Sequence, residues 1–363
     1  MILQLYFARR FLASFLGVAL SLAALIALIE LMDELSNMPD RPFSDVLGIV
    51  LLKMPWANYE ILPLVVILAS TALFLRLSRS SELVVLRASG RSALRGLLAP
   101  ACVALMIGLF WLSIGNPIVA ATSKREHDLS NFYQGSETAA LAISSEGLWL
   151  RQGGPEGQTV IFALRASSDL GTLYEPNFLD FDRDGMPVRR INAGAAQLRD
   201  GEWFLRDAKI WDLSGDGNPE AEATRAVTLT IPSDLTQDRI VDSFGKPRYI
   251  PVWDLPDFIA ELEEAGFSAR RYAVWFHSEL AQPVFLVALV LMSAAFTMRH
   301  ARGSNMGVMV LAAVLAGFGM HYVRNFAHIL GENGQIPILL AAWAPPLAAM
   351  FLALGILLHL EDG

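Results

Sequence analysis

The apolar positions of this chain gather into long uninterrupted runs rather than into the short periodic stripes of a water-soluble fold. Phe11 to Ile29 follows Arg9 and Arg10; a second run extends from about Trp56 to Leu75, interrupted by Glu60 and Pro63; a third, Gly96 to Ser123, carries no charge. Three more come late, at about Val274 to Met298, Asn305 to Val323 and Ile336 to His359. Each is close to the roughly 20 residues a helix needs to cross the hydrocarbon layer, so the pattern predicts six transmembrane helices in two groups of three. The first run begins like a signal sequence. Its apolar core is too long for one and no small-residue cleavage site precedes Asp33 and Glu34, so it is expected to stay as an anchor.

Between the two groups the pattern changes. Leu148 to Arg151, Thr159 to Arg165, Asn177 to Phe181, Gly194 to Leu198, Trp203 to Leu205, Ile210 to Leu213 and Ala226 to Ile231 read as short strands broken by turn residues. Asp184-Gly185 and Asp200-Gly201 are hairpin signals, because such pairs accept positive φ. Trp203 and Leu205 alternate with Glu202 and Arg206, which implies one buried face and favours two sheets or an open roll over a flat sheet. After Pro251, Leu255 to Ala265 reads as a short acidic helix closed by Gly266.

Composition agrees with a membrane protein. Of 363 residues 54% are hydrophobic and 18% charged, and the mean hydropathy is +0.43, which excludes a cytosolic enzyme. The net charge of -8 offers no basic field for nucleic acid. A single cysteine, Cys102, rules out an intramolecular disulfide or a thiolate metal cluster and reads as a small buried hydrophobe. Arg9, Arg10, Arg76, Arg79, Arg87, Arg91, Arg95, Arg299 and Arg302 flank one side of the runs, whereas Arg41, Lys53 and Arg324 flank the other. Basic residues are retained in the cytoplasm, so both termini are expected there and the strand-rich segment on the extracytoplasmic face.

Catalytic chemistry has no candidate. The only Gly-Lys pair, Gly245-Lys246, is followed by Pro247 and so cannot be a phosphate-binding loop; no nucleophile elbow occurs, and the histidines have no recognisable spacing. Two stretches, Asp180 to Gly185 and Asp212 to Gly217, look like calcium loops, but Ile191 and Ala223 stand where a bidentate glutamate is required, so they read as turns. No metal and no cofactor are expected.

The loop after the second run is more informative. Ser80 can cap a helix, Leu83 and Leu86 give it an apolar face beside Arg87, and Gly90 can end it. This helix, with Glu82 near its start, reads either as an amphipathic connector lying in the headgroups or as a plug for a groove on a cytoplasmic partner.

Ser81-Glu82-Leu83-Val84-Val85 with Ala88-Ser89-Gly90 resembles the coupling segment of the LptF/LptG permeases, the membrane subunits of the lipopolysaccharide exporter. Gly147-Leu148-Trp149 resembles the start of that family's periplasmic β-jellyroll; Arg271-Tyr272 with Gln282-Pro283, and Met306-Gly307-Val308, resemble the starts of its fourth and fifth spans. The resemblance covers nearly the whole chain, in order, and leans toward the LptG branch. It implies an inner-membrane protein with helices one to three in residues 1–121, a coupling helix at about 80–90, a β-jellyroll in 122–250, a connecting helix in 251–272 and helices four to six in 273–363. It implies an LptF-like permease partner, a cytoplasmic LptB-like ATPase dimer, an LptC-like single-helix protein and lipopolysaccharide drawn from membrane lipid as the substrate. In the family Glu82 matches the carboxylate that enters the ATPase groove, with Leu83, Leu86 and Arg87 beside it.

His321, Arg324 and His328 are spaced to share one helical face near the outer end of the fifth run, and Glu30, Asp33 and Glu34 close the first run at the same end. These groups, with Lys124 and Arg125, are the candidates for the substrate cavity. Glu30 or Asp33 is expected to face Arg324 across the seam between the two helices; the alternative is that these charges reach into the headgroup layer. An LptF-like paralogue, or a membrane-anchored assembly or sensor module that moves no lipid, are the competing functions.

Overall fold

The computed structural model describes residues 2–39, 41–80, 82, 93–134, 141–144, 147–154, 157–163, 165–166, 172–182, 184–199, 201–215, 217–233, 246–264, 268–298 and 306–362. The chain forms two compact units. One comprises Met1–Leu129, Arg248–Trp253 and Arg270–Gly363; the other comprises Ser130–Pro247 and Asp254–Ala269.

The helices in chain order are α1 (Ile2–Asn37), α2 (Phe43–Glu60), α3 (Leu62–Arg79), α4 (Ala93–Phe110), α5 (Asn116–Gln134), α6 (Leu255–Glu264), α7 (Arg270–Thr297), α8 (Met306–Glu332) and α9 (Ile338–Asp362). Six stretches are long and apolar enough to cross a membrane: Leu3–Asn37, Leu62–Arg79, Arg95–Ser130, Arg270–Thr297, Gly307–Glu332 and Ile338–His359. The second begins later than its sequence suggests. Trp56 to Glu60 belong to α2, a separate helix that the run had concealed, and the chain turns at Ile61 before α3. Pro63 stands in the first turn of α3, where its missing N–H is no loss.

In lipid, helices are held together by van der Waals packing and not by expulsion of water, so close approach matters most. Helix α7 supplies the centre. Its Phe285, Leu286 and Leu289 are buried against Phe7 and Phe11 of α1, Val66 and Phe74 of α3, and Ala349 and Ala353 of α9. Gly108 of α4 meets Pro283 of α7 so closely that a Cβ there would lie 2.6 Å from the Pro283 Cα. The outward surfaces of α1 and α8, by contrast, are rows of exposed Leu, Ile, Val and Phe.

The third span is not one regular helix. Between α4 and α5 the turn Trp111–Gly115 is a π-helix, with the Asn116 N–H bonded to the Trp111 carbonyl. Pro117 follows at once; it has no N–H, and its ring crowds the carbonyl four residues back, so a widened turn relieves the clash. Gly115 is needed because a Cβ there would strike the Trp111 ring at 2.1 Å.

The second unit holds β1 (Leu141–Ser144), β2 (Gly147–Gly154), β3 (Gly157–Ala163), β4 (Arg165–Ala166), β5 (Thr172–Tyr174), β6 (Asn177–Phe181), β7 (Pro187–Asn192), β8 (Ala195–Arg199), β9 (Glu202–Asp212) and β10 (Thr224–Pro232). All pairings are antiparallel, in the order β1-β2-β3-β6-β7-β9-β8-β5-β4, with β10 on the other edge of β9. Trp203 to Leu205 and Ile210 to Leu213, read as two strands, are parts of one, since β9 runs on through Asp207. Strands β7 and β8 lie end to end along it. Where they meet, the sheet creases: Glu175 and Asp207 take φ of 51° and 53°, and the Gly194 carbonyl accepts from the Glu175 amide at 3.0 Å. The alternation read from sequence buries Leu148, Leu150, Ile161, Phe178, Ile191, Trp203 and Leu205 on one face. Gln152 accepts from Trp203 Nε1 and from Ser233 Oγ, leaving no indole donor unpaired in that core.

The two calcium-like stretches are turns. Asp182 Oδ1 accepts the amides of Asp184 and Met186, and Asp212 Oδ1 accepts the amide and hydroxyl of Ser214. Gly185 and Gly201 have φ of 81° and 80°, as the hairpin signals require; Asp200 lies outside the described residues.

Candidate functional site

At one end of the helical unit, α3 finishes at Arg79 and Ser80 closes it, its backbone amide donating to the Arg76 carbonyl at 2.9 Å. Glu82 follows directly. Its Oε1 accepts from Ser80 Oγ at 2.8 Å, from Arg10 at 3.2 Å and from the Tyr6 hydroxyl at 3.3 Å. Tyr6 and Arg10 are one turn apart on α1, which brings the guanidinium 4.5 Å from the centre of the Tyr6 ring and sets both donors toward the same carboxylate. Leu83, Leu86 and Arg87, expected beside Glu82, lie outside the described residues.

At the opposite end of α1, Glu30 and Glu34 stand one turn apart and both turn to α2. Lys53 approaches Glu34 Oε2 at 2.7 Å and Glu30 Oε2 at 3.6 Å. Burial works against the charge on Lys53, but the hydrogen bond to Glu34 and the charges of Glu34 and Glu30 outweigh it and hold the ammonium above its usual range. Glu34 is 4% exposed whereas the Lys53 side chain is 27% exposed, so the pair is buried on its carboxylate side and half-buried as a whole. Asp33 accepts from Asn37 at 3.4 Å.

The expected pairing of Glu30 or Asp33 with Arg324 is therefore not formed. Arg324 turns to α7, donating to the Ser278 carbonyl at 3.2 Å with its guanidinium 5.0 Å from the centre of the Phe285 ring. His321, Arg324 and His328 do share a face, as their spacing requires. His328 meets the Trp275 edge of α7 at 6.0 Å and lies 3.8 Å from Glu332. Lys124 and Arg125 are exposed on α5.

Sequence reasoning missed a deeply buried polar assembly. Glu279 of α7, 2% exposed, accepts from the Tyr59 hydroxyl at 2.6 Å and from the Asn116 side-chain amide at 3.0 Å. The Asn116 carbonyl oxygen in turn accepts the Val252 amide at 2.7 Å. Residues of α2, α5, α7 and the 248–253 segment thus meet at one carboxylate. Burial, and then the Glu279 charge, hold the Tyr59 phenol well above its usual range, so it stays a donor. The signal was present: Glu279 is an acid inside an apolar run, and such a residue needs partners. Its partners were hidden because α2 was read as membrane span and the π turn that aims Asn116 inward leaves no trace in hydropathy.

Among the described residues no three His, Cys, Asp or Glu side chains converge as a metal site demands. The assemblies are suited to holding helices and to binding or exchanging charged groups.

The sequence profile described as "Lipopolysaccharide export system permease LptF/LptG" matches residues 5–359. The chain is 23% identical to the lipopolysaccharide export system permease protein LptG of Escherichia coli K12 over 367 residues, covering 99% of this chain and 98% of that protein. It is 22% identical to the protein of the same name from Haemophilus influenzae over 359 residues, covering 95% of each. The match begins within α1 and ends within α9, and the chain belongs to the LptF/LptG family of lipopolysaccharide export permeases.

Proposed function

We propose that this chain is an LptG-like permease subunit of an ABC exporter, drawing lipopolysaccharide from the inner membrane toward a periplasmic bridge. In this reading both termini and Glu82 are cytoplasmic, the three spans before and three after the strand-rich unit form one half of the lipid cavity, and that unit is a periplasmic β-jellyroll. An LptF-like subunit completes the cavity, an LptC-like single helix joins it, and an LptB-like ATPase dimer supplies the energy that this chain has no motif to capture.

The need for a covered route is physical. Each methylene bared to water costs about 0.8 kcal/mol, so a lipid with several acyl chains cannot leave the bilayer with its tails exposed. Lys124 and Arg125 are the exposed cations offered to headgroup phosphates; Arg324 with His321 and His328, and Glu30 and Asp33, belong to the wall of the cavity.

The single observation that carries this reading is the position of Glu82: an acid at the end of a bundle helix, joined to it through Ser80 and to α1 through Arg10. A push on that carboxylate moves two spans. Leu83, Leu86 and Arg87 are proposed to complete the ATPase-facing surface. The test is Glu82→Ala in the assembled exporter reconstituted in vesicles. Coupled ATP hydrolysis and lipopolysaccharide release should fall at least about tenfold, as expected for loss of a charge-assisted contact. Unchanged release would instead favour a membrane-anchored module that moves no lipid.

A further inference from the structure

A cavity of about 860 Å³ lies between α1 and α3 beside Glu82. Its lining is asymmetric. Arg10, Arg76 and Arg79 stand at the Glu82 end, whereas Gly17, Val18 and Leu73 line it further along the same two helices. From Arg10 to Val18 is about 12 Å along α1, at about 1.5 Å per residue. Among the described lining residues Glu82 is the only carboxylate, set against three guanidinium groups. Arg10 is taken by it at 3.2 Å, while Arg76 brings a further positive charge to that end and Gly17, Val18 and Leu73 leave an apolar slot at the other.

A ligand that fits both ends must carry an anion joined to an aliphatic body. We propose that this cavity binds an anionic phospholipid, its phosphate on Arg10 and Arg76 and an acyl chain along Gly17, Val18 and Leu73, and that the lipid competes with Glu82 for Arg10. The inference rests on the reading above, which puts this end in the cytoplasmic leaflet and gives Glu82 to the ATPase. Guanidinium groups bind phosphate through paired hydrogen bonds at least as readily as carboxylate, and a phosphate seated beside Glu82 repels it. Lipid occupancy thus frees the carboxylate from α1, and an empty cavity holds it back.

The test uses the full chain assembled with its partner subunits, in mixed micelles of phosphatidylglycerol and phosphatidylcholine, with retained lipid counted by native mass spectrometry. The parent should retain phosphatidylglycerol in preference to phosphatidylcholine. Arg10→Gln with Arg76→Gln should lower that retention by about tenfold or more, the cost of losing charge-assisted contacts. Arg9→Gln, which removes a neighbouring charge outside the cavity, should leave retention unchanged. Glu82→Gln should raise it, because the competitor is neutralised. If the double variant does not assemble, the Arg9 and Glu82 variants decide between them. Equal loss in Arg9→Gln would overturn the site as mere surface charge, and displacement of phosphatidylglycerol by inorganic phosphate would overturn the lipid in favour of a free anion. A Glu82→Gln exporter that loses coupled hydrolysis while retention is unmoved sinks the lipid site and spares the coupling role. Raised retention with hydrolysis intact does the opposite.

Discussion

Tyr59 and Glu279 are 220 residues apart in the chain and share one hydrogen bond of 2.6 Å inside the helical unit, with neither side chain open to water. The same carboxylate holds Asn116, and Asn116 holds Val252, so the stretch through which the chain returns from the strands to α7 is fastened to the interior of the helical unit. Removing the acceptor leaves two donors without a partner.

Glu279→Ala should therefore destabilise the protein by about 2–4 kcal/mol, since each buried polar group left unpaired costs about 1–3 kcal/mol. Glu279→Gln keeps a carbonyl acceptor and should lose less than half of that. Thermal unfolding in detergent, followed by tryptophan fluorescence, makes the comparison. An alanine variant as stable as the parent would show that the assembly holds nothing.

Lys53 predicts non-additivity. Breaking a fully buried ion pair from one side costs about 3–5 kcal/mol, and solvent at the half-buried Lys53 lowers that figure, whereas exchanging both partners for apolar groups is close to neutral. Lys53→Met alone should be destabilising, because it leaves the buried Glu34 carboxylate unpaired, and Glu34→Leu added to it should restore most of the loss. Equal and additive losses would remove the pair from consideration.

The same lysine fixes a pH dependence. Its folded value is raised above 10.5, so the stabilisation is complete below the unfolded value and disappears as pH rises through the folded one. The Lys53 contribution should be full and independent of pH between pH 6 and pH 9, and the alkaline decline should be shallower in Lys53→Met. An alkaline limb identical in both proteins contradicts the assignment.

On the strand-rich unit the sign reverses. Hydrogen bonds from Lys209 and then from Trp211 Nε1 hold the Glu220 carboxyl below the usual glutamate range. Its contribution is present above the unfolded value and is lost as pH falls through the folded one. Glu220→Gln should change the acid-side transition of Trp211 fluorescence and leave neutral-pH behaviour alone. A parent and variant with superimposable acid titrations would refute it.

Gly108→Ala tests the closest crossing of α4 and α7. The added carbon must displace backbone atoms of Pro283, not the tip of a flexible side chain, and overpacking of this kind costs about 1–3 kcal/mol. A lowered midpoint of thermal unfolding, without loss of membrane insertion, is the expected outcome.

Much of the fold was legible because membrane spans and half-buried strands each leave a period in the sequence. The runs at Gly96, Val274, Asn305 and Ile336 correspond to spans, and the alternation around Trp203 correctly named the buried face. What hydropathy could not carry was partnership. The spacing of His321, Arg324 and His328 fixes a shared helical face, but it does not say whether α1 or α7 lies opposite, and the answer was α7. Lys53 went unrecognised as the partner of Glu30 and Glu34 because α2 had not been separated from α3. Asn116 was invisible for a geometric reason: one widened turn shifts which side of a helix a residue faces without altering its composition.

Helix α1 is unbroken for 36 residues, about 54 Å at 1.5 Å per residue, well beyond the roughly 30 Å of a bilayer's hydrocarbon. Arg10 grips Glu82 near one tip and Glu34 grips Lys53 near the other, about 36 Å away. A stiff rod clasped at both tips behaves as a lever: tilting it at one clasp displaces the other, with no relay of side chains needed in between.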